Sequence, residues 1–102
     1  MTVKLVALYT QPTDAVEFEK HYLQVHAPLV RAVPGLQHFE AGRIVAAADG
    51  GDVTFARVAE LSFADQAAFE AAMGSAEGQA TAADFQQIAS PGSRLFVVQL
   101  DD

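Results

Sequence analysis

The sequence predicts an α+β domain with the split β-α-β arrangement (βαββαβ), in which helices cover one face of a four-stranded antiparallel sheet. Two observations support this fold class. Strand-like and helix-like segments follow one another in the order strand, helix, strand, strand, helix, strand. The two middle strand segments flank the residues Asp-Gly-Gly-Asp at 49–52, which are typical of a hairpin turn. With 102 residues, the chain is expected to form a single domain over residues 1–102.

The first strand and the start of the first helix are predicted near the beginning of the sequence. Residues 3–10 are rich in strand formers and lead into a turn-forming Gln-Pro-Thr sequence at 11–13. Asp14 can cap the free N–H groups of a helix, and Glu17 can reach back to it in a capping-box arrangement. An apolar stripe with helical spacing follows at Phe18, Tyr22, Val25 and Leu29.

Pro28 is expected to disturb this helix. It cannot donate a hydrogen bond to the carbonyl of Gln24, and it disfavours the helical conformation at Ala27. We therefore expect a kink or a break there, with His26 at the joint. A second helical segment should follow and end at the Pro-Gly pair at 34–35.

The other three strands are predicted in the second half of the chain. Residues 36–45 and 53–61 have the composition of second and third strands on either side of the hairpin turn. A Ser-Pro-Gly-Ser turn at 90–93 precedes residues 94–100, which predict the fourth strand. These segments complete the four-stranded sheet.

Helical segments are predicted between the third and fourth strands. Ser62 and Asp65 resemble a helix start, and apolar residues at helical spacing continue to Gly74, which should end the helix. Residues 75–89 are small and polar, so we expect a short helix and a loop there, anchored by Phe85.

The predicted strands are apolar on both faces. In the first strand, Val6 and Leu8 point away from Leu5 and Ala7, and the last strand repeats this pattern. A sheet face in water should instead alternate with polar residues. Because exposed apolar patches usually mark interfaces and identical chains usually pair by twofold symmetry, we predict a homodimer that closes sheet against sheet.

The composition excludes several classes of site and partner. The sequence has no cysteine, which excludes disulfides and thiolate chemistry, and a cytoplasmic location is expected. A net charge of −7 argues against nucleic acid. Residues 1–9 do not resemble a signal peptide, and no apolar run reaches the roughly 18 residues of a membrane span, so no membrane association is expected. No nucleotide-binding, phosphate-binding or nucleophile-elbow motif is present, so any chemistry should need no cofactor.

His26 is the candidate catalytic residue. It lies four residues after Tyr22, on the side of the helix that is expected to face the core. An imidazole is the side chain best suited to move a proton near neutral pH. At the Pro28 joint, unpaired carbonyls near residues 23–24 can accept from the imidazole, or a ligand can face it across the break. A structural histidine bonded to a backbone carbonyl explains the same pattern equally well.

Three more residues complete the candidate site. Tyr22 and Phe85 fit core positions that can also line a pocket for a small apolar ligand. His38 is the third candidate ligand contact, although its place on the second strand lets it face either a pocket or solvent. His21 is predicted to lie on the surface. A spacing of five puts the rings of His21 and His26 on different faces of an α-helix, which argues against a zinc site and leaves no metal expected.

Several segments resemble the EthD family. The most specific is residues 18–30, which contain His-Ala-Pro-Leu at 26–29 and are followed by Val-Pro-Gly-Leu at 33–36. Residues 58–63, 75–79 and 83–85 also resemble the family, so the likeness covers nearly the whole chain. One departure is the absence of tryptophan: aromatic positions that are often Trp in this family are filled by residues such as Tyr22 and Ser62, which implies a pocket of different shape.

The resemblance implies a ferredoxin-like fold that dimerises through its sheets as a dimeric α+β barrel, in agreement with the two-faced strands. By the same resemblance, His26 is carried over as an acid/base or ligand-orienting residue. The leading hypothesis is a cofactor-independent isomerase, lyase or monooxygenase that acts by proton transfer on a small apolar, lactone-type or quinone-type compound. The alternatives are a non-catalytic accessory or binding dimer of a degradation pathway, and a haem-degrading protein. Function transfers poorly among proteins that share this fold.

Overall fold

The computed structural model describes residues 1–102, and its elements follow the predicted order. They are β1 (Val3–Thr10), α1 (Ala15–His21), a π turn (Tyr22–His26), α2 (Ala27–Arg31), β2 (His38–Arg43), β3 (Phe55–Phe63), α3 (Gln66–Gly74), α4 (Ala76–Ile88) and β4 (Arg94–Gln99). All paired strands are antiparallel, in the sheet order β2-β3-β1-β4. The predicted ferredoxin-like split β-α-β fold is therefore confirmed. None of the helices has the length and apolar character needed to cross a bilayer.

The helices pack on one face of the sheet. Ala7 and Tyr9 of β1 and Ala59 and Phe63 of β3 are buried, and they occupy alternate positions that point to the same side. They join residues of α1, the π turn, α2, α3 and α4 in one core cluster of 12 buried residues. The core therefore lies between this sheet face and the helical layer.

The helix that begins after Asp14 continues past Pro28, and the predicted kink or break at this joint is a π turn that ends at His26. Asp14 caps it as expected, since its Oδ1 accepts from the N–H of Glu17 at 3.1 Å. Ala27 is helical (φ −59°, ψ −42°), and its N–H donates to the carbonyl of Tyr22, five residues earlier. The π turn holds one extra residue, which relieves the clash that a proline ring makes with the preceding turn of a regular α-helix. The chain therefore stays helical from Ala15 to Arg31.

Two helix predictions in the second half are corrected. Ser62 does not start a helix: it lies in β3, because pairing with β1 continues as far as Phe63, and the cap of α3 is Asp65. Residues 75–89 are not a short helix and a loop, since α4 spans 13 residues. Alanine has the highest helix propensity, and Ser75 caps the segment by accepting from the N–H of Gly78 at 3.0 Å.

The second face of the sheet has no helix over it. Val6 of β1 is paired with Phe96 of β4, and Lys4 with Val98. Phe96 is 41% exposed and Val98 is 39% exposed, which is high for large apolar residues in a strand. The prediction that both sheet faces are apolar is confirmed for β1 and β4.

Candidate active site

A cavity of about 320 Å³ lies between the helices and the covered face of the sheet. It is lined by 16 residues, of which 13 are hydrophobic. Three of the residues predicted from the sequence, His26, Tyr22 and Phe85, lie in its wall. No lysine, arginine, aspartate or glutamate lines it. An apolar pocket with a small number of polar groups is the usual form of a site for an uncharged small molecule.

His26 is buried in this wall and both of its ring nitrogens have partners. Only 5% of its side chain is exposed. Nδ1 lies 2.7 Å from Oδ2 of Asp84, and Nε2 lies 3.3 Å from the hydroxyl of Tyr9. A carboxylate can only accept, so Nδ1 carries the proton, and the Nε2 lone pair accepts from the Tyr9 hydroxyl. The bond to a backbone carbonyl, one of the alternatives that the sequence leaves open for His26, is replaced by this bond to Asp84.

The Tyr9 hydroxyl keeps its proton in these surroundings. Burial raises the pKa of Tyr9 well above its ordinary value, and the neighbouring Tyr22 and Asp84 raise it further. Tyr9 also lines the cavity, and its ring packs edge-on against the rings of Tyr22 and His26. The neutral Tyr9 hydroxyl can therefore donate a hydrogen bond to His26 or to a molecule between them.

The π turn places His21 and His26 on the same carboxylate. Nε2 of His21 lies 2.8 Å from Oδ1 of Asp84, while His26 bonds to Oδ2. The prediction that residues five apart face different sides assumed the period of an α-helix, and it is wrong here because a π turn repeats through i→i+5 bonds. Within the structure, no group of three or more His, Cys, Asp or Glu side chains is arranged to hold a metal ion.

Asp84 is the main site residue that the sequence analysis missed. It lies on α4, next to Phe85, and its side chain is only 9% exposed. Residues 75–89 are predicted to be a short helix and a loop because they are small and polar, and a carboxylate in such a segment is expected in solvent. Its position in the sequence could have indicated a buried site: once α4 is recognised as a helix, Asp84 lies directly before the apolar anchor Phe85.

The ring and the hydroxyl of Tyr22 lie in different environments. Its ring lines the cavity, and the guanidinium of Arg57 lies 4.3 Å from the ring centroid. Its hydroxyl is buried without a hydrogen-bond partner. Burial raises the pKa of Tyr22 to about 12, although the cation of Arg57 opposes this shift. Arg57 is held by Glu19, whose Oε2 accepts from its Nε at 3.0 Å.

The structure does not bring His38 to the cavity. It pairs with Ser62, whereas the next residue, Phe39, pairs with Leu61, which lines the cavity. Successive strand residues point to opposite faces, so His38 lies on the uncovered face of the sheet. Its side chain is 63% exposed and lies 3.1 Å from Glu40. The sequence left this choice open, and the solvent side is the correct one in the single chain.

Burial lowers the pKa of His26 below its ordinary value of 6.5, while the hydrogen bond and charge of Asp84 oppose the shift and His21 adds to it. The carboxylate of Asp84 is shared by two imidazoles, and its effect on the pKa of His26 is smaller than that of burial. His26 is accordingly a neutral base at pH 7, with its proton on Nδ1.

We expect this shift to make the fold less stable in mild acid. Between the lowered pKa of His26 and 6.5, the unfolded chain binds more protons than the folded chain. The contribution of His26 to the free energy of unfolding should be complete above about pH 6.5 and fall as the pH decreases through that window. Urea unfolding from pH 7.5 to 5 measures it. The same series on His26→Asn should lack this component, and an identical pH dependence in both proteins would contradict the prediction.

Comparison with known proteins gives one family. The EthD domain sequence model matches residues 10–92. An uncharacterized 11.0 kDa protein encoded in the thcB–thcC intergenic region of Rhodococcus erythropolis is 35% identical over 89 residues, which cover 87% of this chain and 85% of that protein. The crystal structure of an EthD family protein from Bacillus halodurans is 36% identical, with a TM-score of 0.91 over 98% of this chain and 99% of that chain.

More distant structures share the fold alone. A hydroxynitrile lyase from Passiflora edulis has a TM-score of 0.80 at 13% identity, over 99% of this chain and 94% of that chain. SnoaB, a cofactor-independent oxygenase from Streptomyces nogalater, has a TM-score of 0.70 at 19% identity, with coverage of 99% and 94%. A protein from Thermobifida fusca described as dimeric and ferredoxin-like has a TM-score of 0.74 at 16% identity, with coverage of 98% and 92%.

Proposed function

The chain belongs to the EthD family, and we propose that it binds a small, uncharged, largely apolar molecule in the cavity. In this proposal His26 moves a proton on the bound molecule without a cofactor. The observation that carries the proposal is the state of His26, a buried neutral imidazole whose Nδ1–H is tied to Asp84 and whose Nε2 accepts from Tyr9 in the cavity wall. A base held in one tautomer by a carboxylate is suited to take a proton at its other nitrogen.

The cavity wall defines the class of molecule. Because no lysine or arginine lines the cavity, an anionic ligand would lose its hydration without a compensating charge. The volume of about 320 Å³ is roughly twice that of the engineered apolar cavities of about 150 Å³ that accept benzene. A compound with one or two rings fits this space, with one oxygen directed at His26 and Tyr9. Aromatic ketones, lactones and quinones have this shape and polarity.

The side chains of Tyr9 and His26 in the cavity wall indicate the reaction type. Tyr9 can donate a hydrogen bond to a carbonyl oxygen, while Nε2 of His26 removes a proton from the adjacent carbon. This forms an enolate, which the resulting imidazolium can reprotonate at another position. Such a step belongs to isomerases and lyases, and a carbanion of this kind can also begin a cofactor-independent oxygenation. The hydroxynitrile lyase and the cofactor-independent oxygenase among the structural neighbours support this range, since the same fold carries both activities.

A second candidate function is non-catalytic binding. It is favoured by the fact that Tyr9 already occupies Nε2 of His26 at 3.3 Å, so that both ring nitrogens are satisfied, as in a structural histidine. In this case the cavity would carry or sequester a small compound for other proteins of a degradation pathway. His26 would then only brace the wall.

Hydrogen exchange on simple probes separates the two functions. The protein is incubated in D₂O with phenylacetone or α-phenyl-γ-butyrolactone, and proton NMR follows the loss of the α-proton signals while ¹⁵N-labelled protein reports binding. We expect shifts at cavity residues such as Phe85 and Thr81, and exchange above the buffer rate. Binding without added exchange supports the carrier function instead. Absence of binding by either probe at millimolar concentration overturns both.

We further propose that the molecule is a homodimer closed through the uncovered sheet faces. The partly exposed Phe96 and Val98 support it, as does the dimeric neighbour from Thermobifida fusca. Val98→Glu is expected to split the dimer because it places a charge in an apolar interface. Light scattering should then give 10.8 kDa instead of twice that mass. Val16→Glu is the control, because Val16 is 76% exposed on α1. A monomeric unmodified protein would refute the proposal.

A further inference from the structure

His21 is the one titratable residue that links the buried pair of Asp84 and His26 to solvent. Its side chain is 35% exposed, whereas those of His26 and Asp84 are 5% and 9% exposed. The sequence predicts only that it lies on the surface. Its Nε2 instead lies 2.8 Å from Oδ1 of Asp84 and forms a hydrogen bond at the back of the candidate site.

We propose that His21 is a positioning residue: by holding Oδ1 of Asp84, it keeps Oδ2 on Nδ1 of His26 and so fixes the tautomer that leaves Nε2 as the base. This inference rests on the proposed function for its purpose, since a fixed tautomer matters only if Nε2 receives a proton. The hydrogen-bond arrangement itself can be measured with no ligand present.

Two imidazoles hold the carboxylate of Asp84. The carboxylate has two hydrogen bonds in the structure, one from each imidazole, and none from a backbone N–H, lysine or arginine. A carboxylate with a single partner can rotate and present either oxygen, or the edge between them, to that partner. The bond from His21 removes this freedom, because the two oxygens are then held by two rings at 2.8 and 2.7 Å.

The tautomer of His26 depends on this alignment. With Oδ2 on Nδ1, the ring proton is at Nδ1 and Nε2 is an acceptor toward Tyr9. If the carboxylate turned away, Nδ1 would lose the acceptor that holds its proton. Nε2 would then be free to carry the proton and to donate it to the Tyr9 oxygen. An imidazole protonated at Nε2 cannot act as a base there, so the loss of His21 should reduce proton transfer without removing a group that touches the substrate.

The position of His21 depends on the π turn. Residues 21 and 26 meet one carboxylate on α4 because the helix widens between them. In a regular α-helix the two rings would diverge, and only one of them could reach Asp84. The charged and titratable groups that face His26 are Asp84 from α4, Tyr9 from β1, and His21 and Tyr22 from its own helix. No other ionisable side chain takes part in this set of hydrogen bonds.

Three variants and ¹⁵N NMR of the histidine rings test the proposal. In the unmodified protein above pH 7, His26 should give the signature of a proton on Nδ1 with Nε2 unprotonated. His21→Phe keeps a ring but removes the donor, and it should shift His26 to a mixture of tautomers and slow α-proton exchange on phenylacetone about tenfold. His21→Gln places an amide donor near the position of Nε2 and should restore the tautomer. Lys20→Gln, on the preceding exposed residue, should change neither.

An unchanged His26 tautomer in His21→Phe overturns the proposal, and so does the same change in Lys20→Gln. If His21→Phe does not fold, the unmodified protein decides, because the Nε2–H of His21 must exchange slowly with solvent if it donates to Asp84, and rapid exchange contradicts the assignment. The proposed function fails separately. A fixed tautomer that depends on His21, in a protein that does not exchange the α-protons of either probe, supports the positioning role and rejects catalysis.

Discussion

The His26→Asn variant is expected to keep the fold and lose about 10²- to 10⁴-fold of the α-proton exchange rate on phenylacetone, the usual contribution of a general base. The side-chain amide of asparagine places an N–H near the position of Nδ1, so the bond to Asp84 is kept. It has no atom at the position of Nε2, so the acceptor for the Tyr9 hydroxyl and for the substrate proton is lost. The measurement is the exchange rate by proton NMR, with probe binding followed in the same sample.

Gln24→Asn is the matched control for this variant, because Gln24 lies in the same π turn with an exposed side chain. It should leave both exchange and binding unchanged. If His26→Asn binds phenylacetone and exchanges its protons as fast as the unmodified protein, His26 is not the base. If it unfolds while Gln24→Asn does not, His26 is a structural brace, and the carrier function gains support.

The strand pattern and the turns could be predicted from the sequence because each depends on local chemistry. The predicted first strand agrees with β1 in both of its ends, and the glycines at 50 and 92 take the positive φ that the predicted turns need. The uncovered apolar face was also predictable, since alternation in a strand assigns each residue to a face. The sequence gives Tyr22 and Phe85 core positions that can also line a pocket, and both lie in the cavity wall.

The part of the site that could not be predicted depends on contacts between distant elements. Asp84 is 58 residues from His26, and its position next to Phe85 does not by itself show that its carboxylate reaches His26. The alignment of His21 with His26 needs a π turn, whose period differs from the one used to assign helix faces. Alternation in β1 places Tyr9 on the same side as Ala7, but its bond to His26 follows only from the packing of α1 and the π turn on β1.

Gly78→Ala is expected to have the largest effect on stability, because the chain turns from α3 into α4 too tightly for a side chain at this position. Ser75 caps α4, and its hydroxyl also donates to the carbonyl of Ala72 at 2.6 Å, which draws the end of α3 against Gly78. A Cβ on Gly78 would lie 2.1 Å from that carbonyl oxygen and 3.0 Å from the Cα of Met73. Both atoms belong to the backbone, so neither can move aside by changing a rotamer.

Two effects oppose each other in Gly78→Ala, and their sizes decide whether the free energy of unfolding rises or falls. Alanine in a helix gains about 1 kcal/mol over glycine. Overpacking typically costs about 1–3 kcal/mol, and a backbone clash this close should reach or exceed the upper value. We therefore expect a net loss of about 2 kcal/mol or more in the free energy of unfolding, measured by urea denaturation. Gly74→Ala is the control, since a Cβ there meets no atom within 4 Å, and it should be neutral or slightly stabilising.

The same variant connects the fold to the site. α4 carries Asp84 and Phe85, so relief of the clash by moving α4 away from α3 must also shift the carboxylate that holds His21 and His26. Under conditions where Gly78→Ala is still folded, the Nδ1–H signal of His26 should weaken, whereas in Gly74→Ala it should be unchanged. The prediction is wrong if Gly78→Ala is as stable as the unmodified protein and keeps its His26 signal. In that case α3 and α4 are not packed as closely as in the structure.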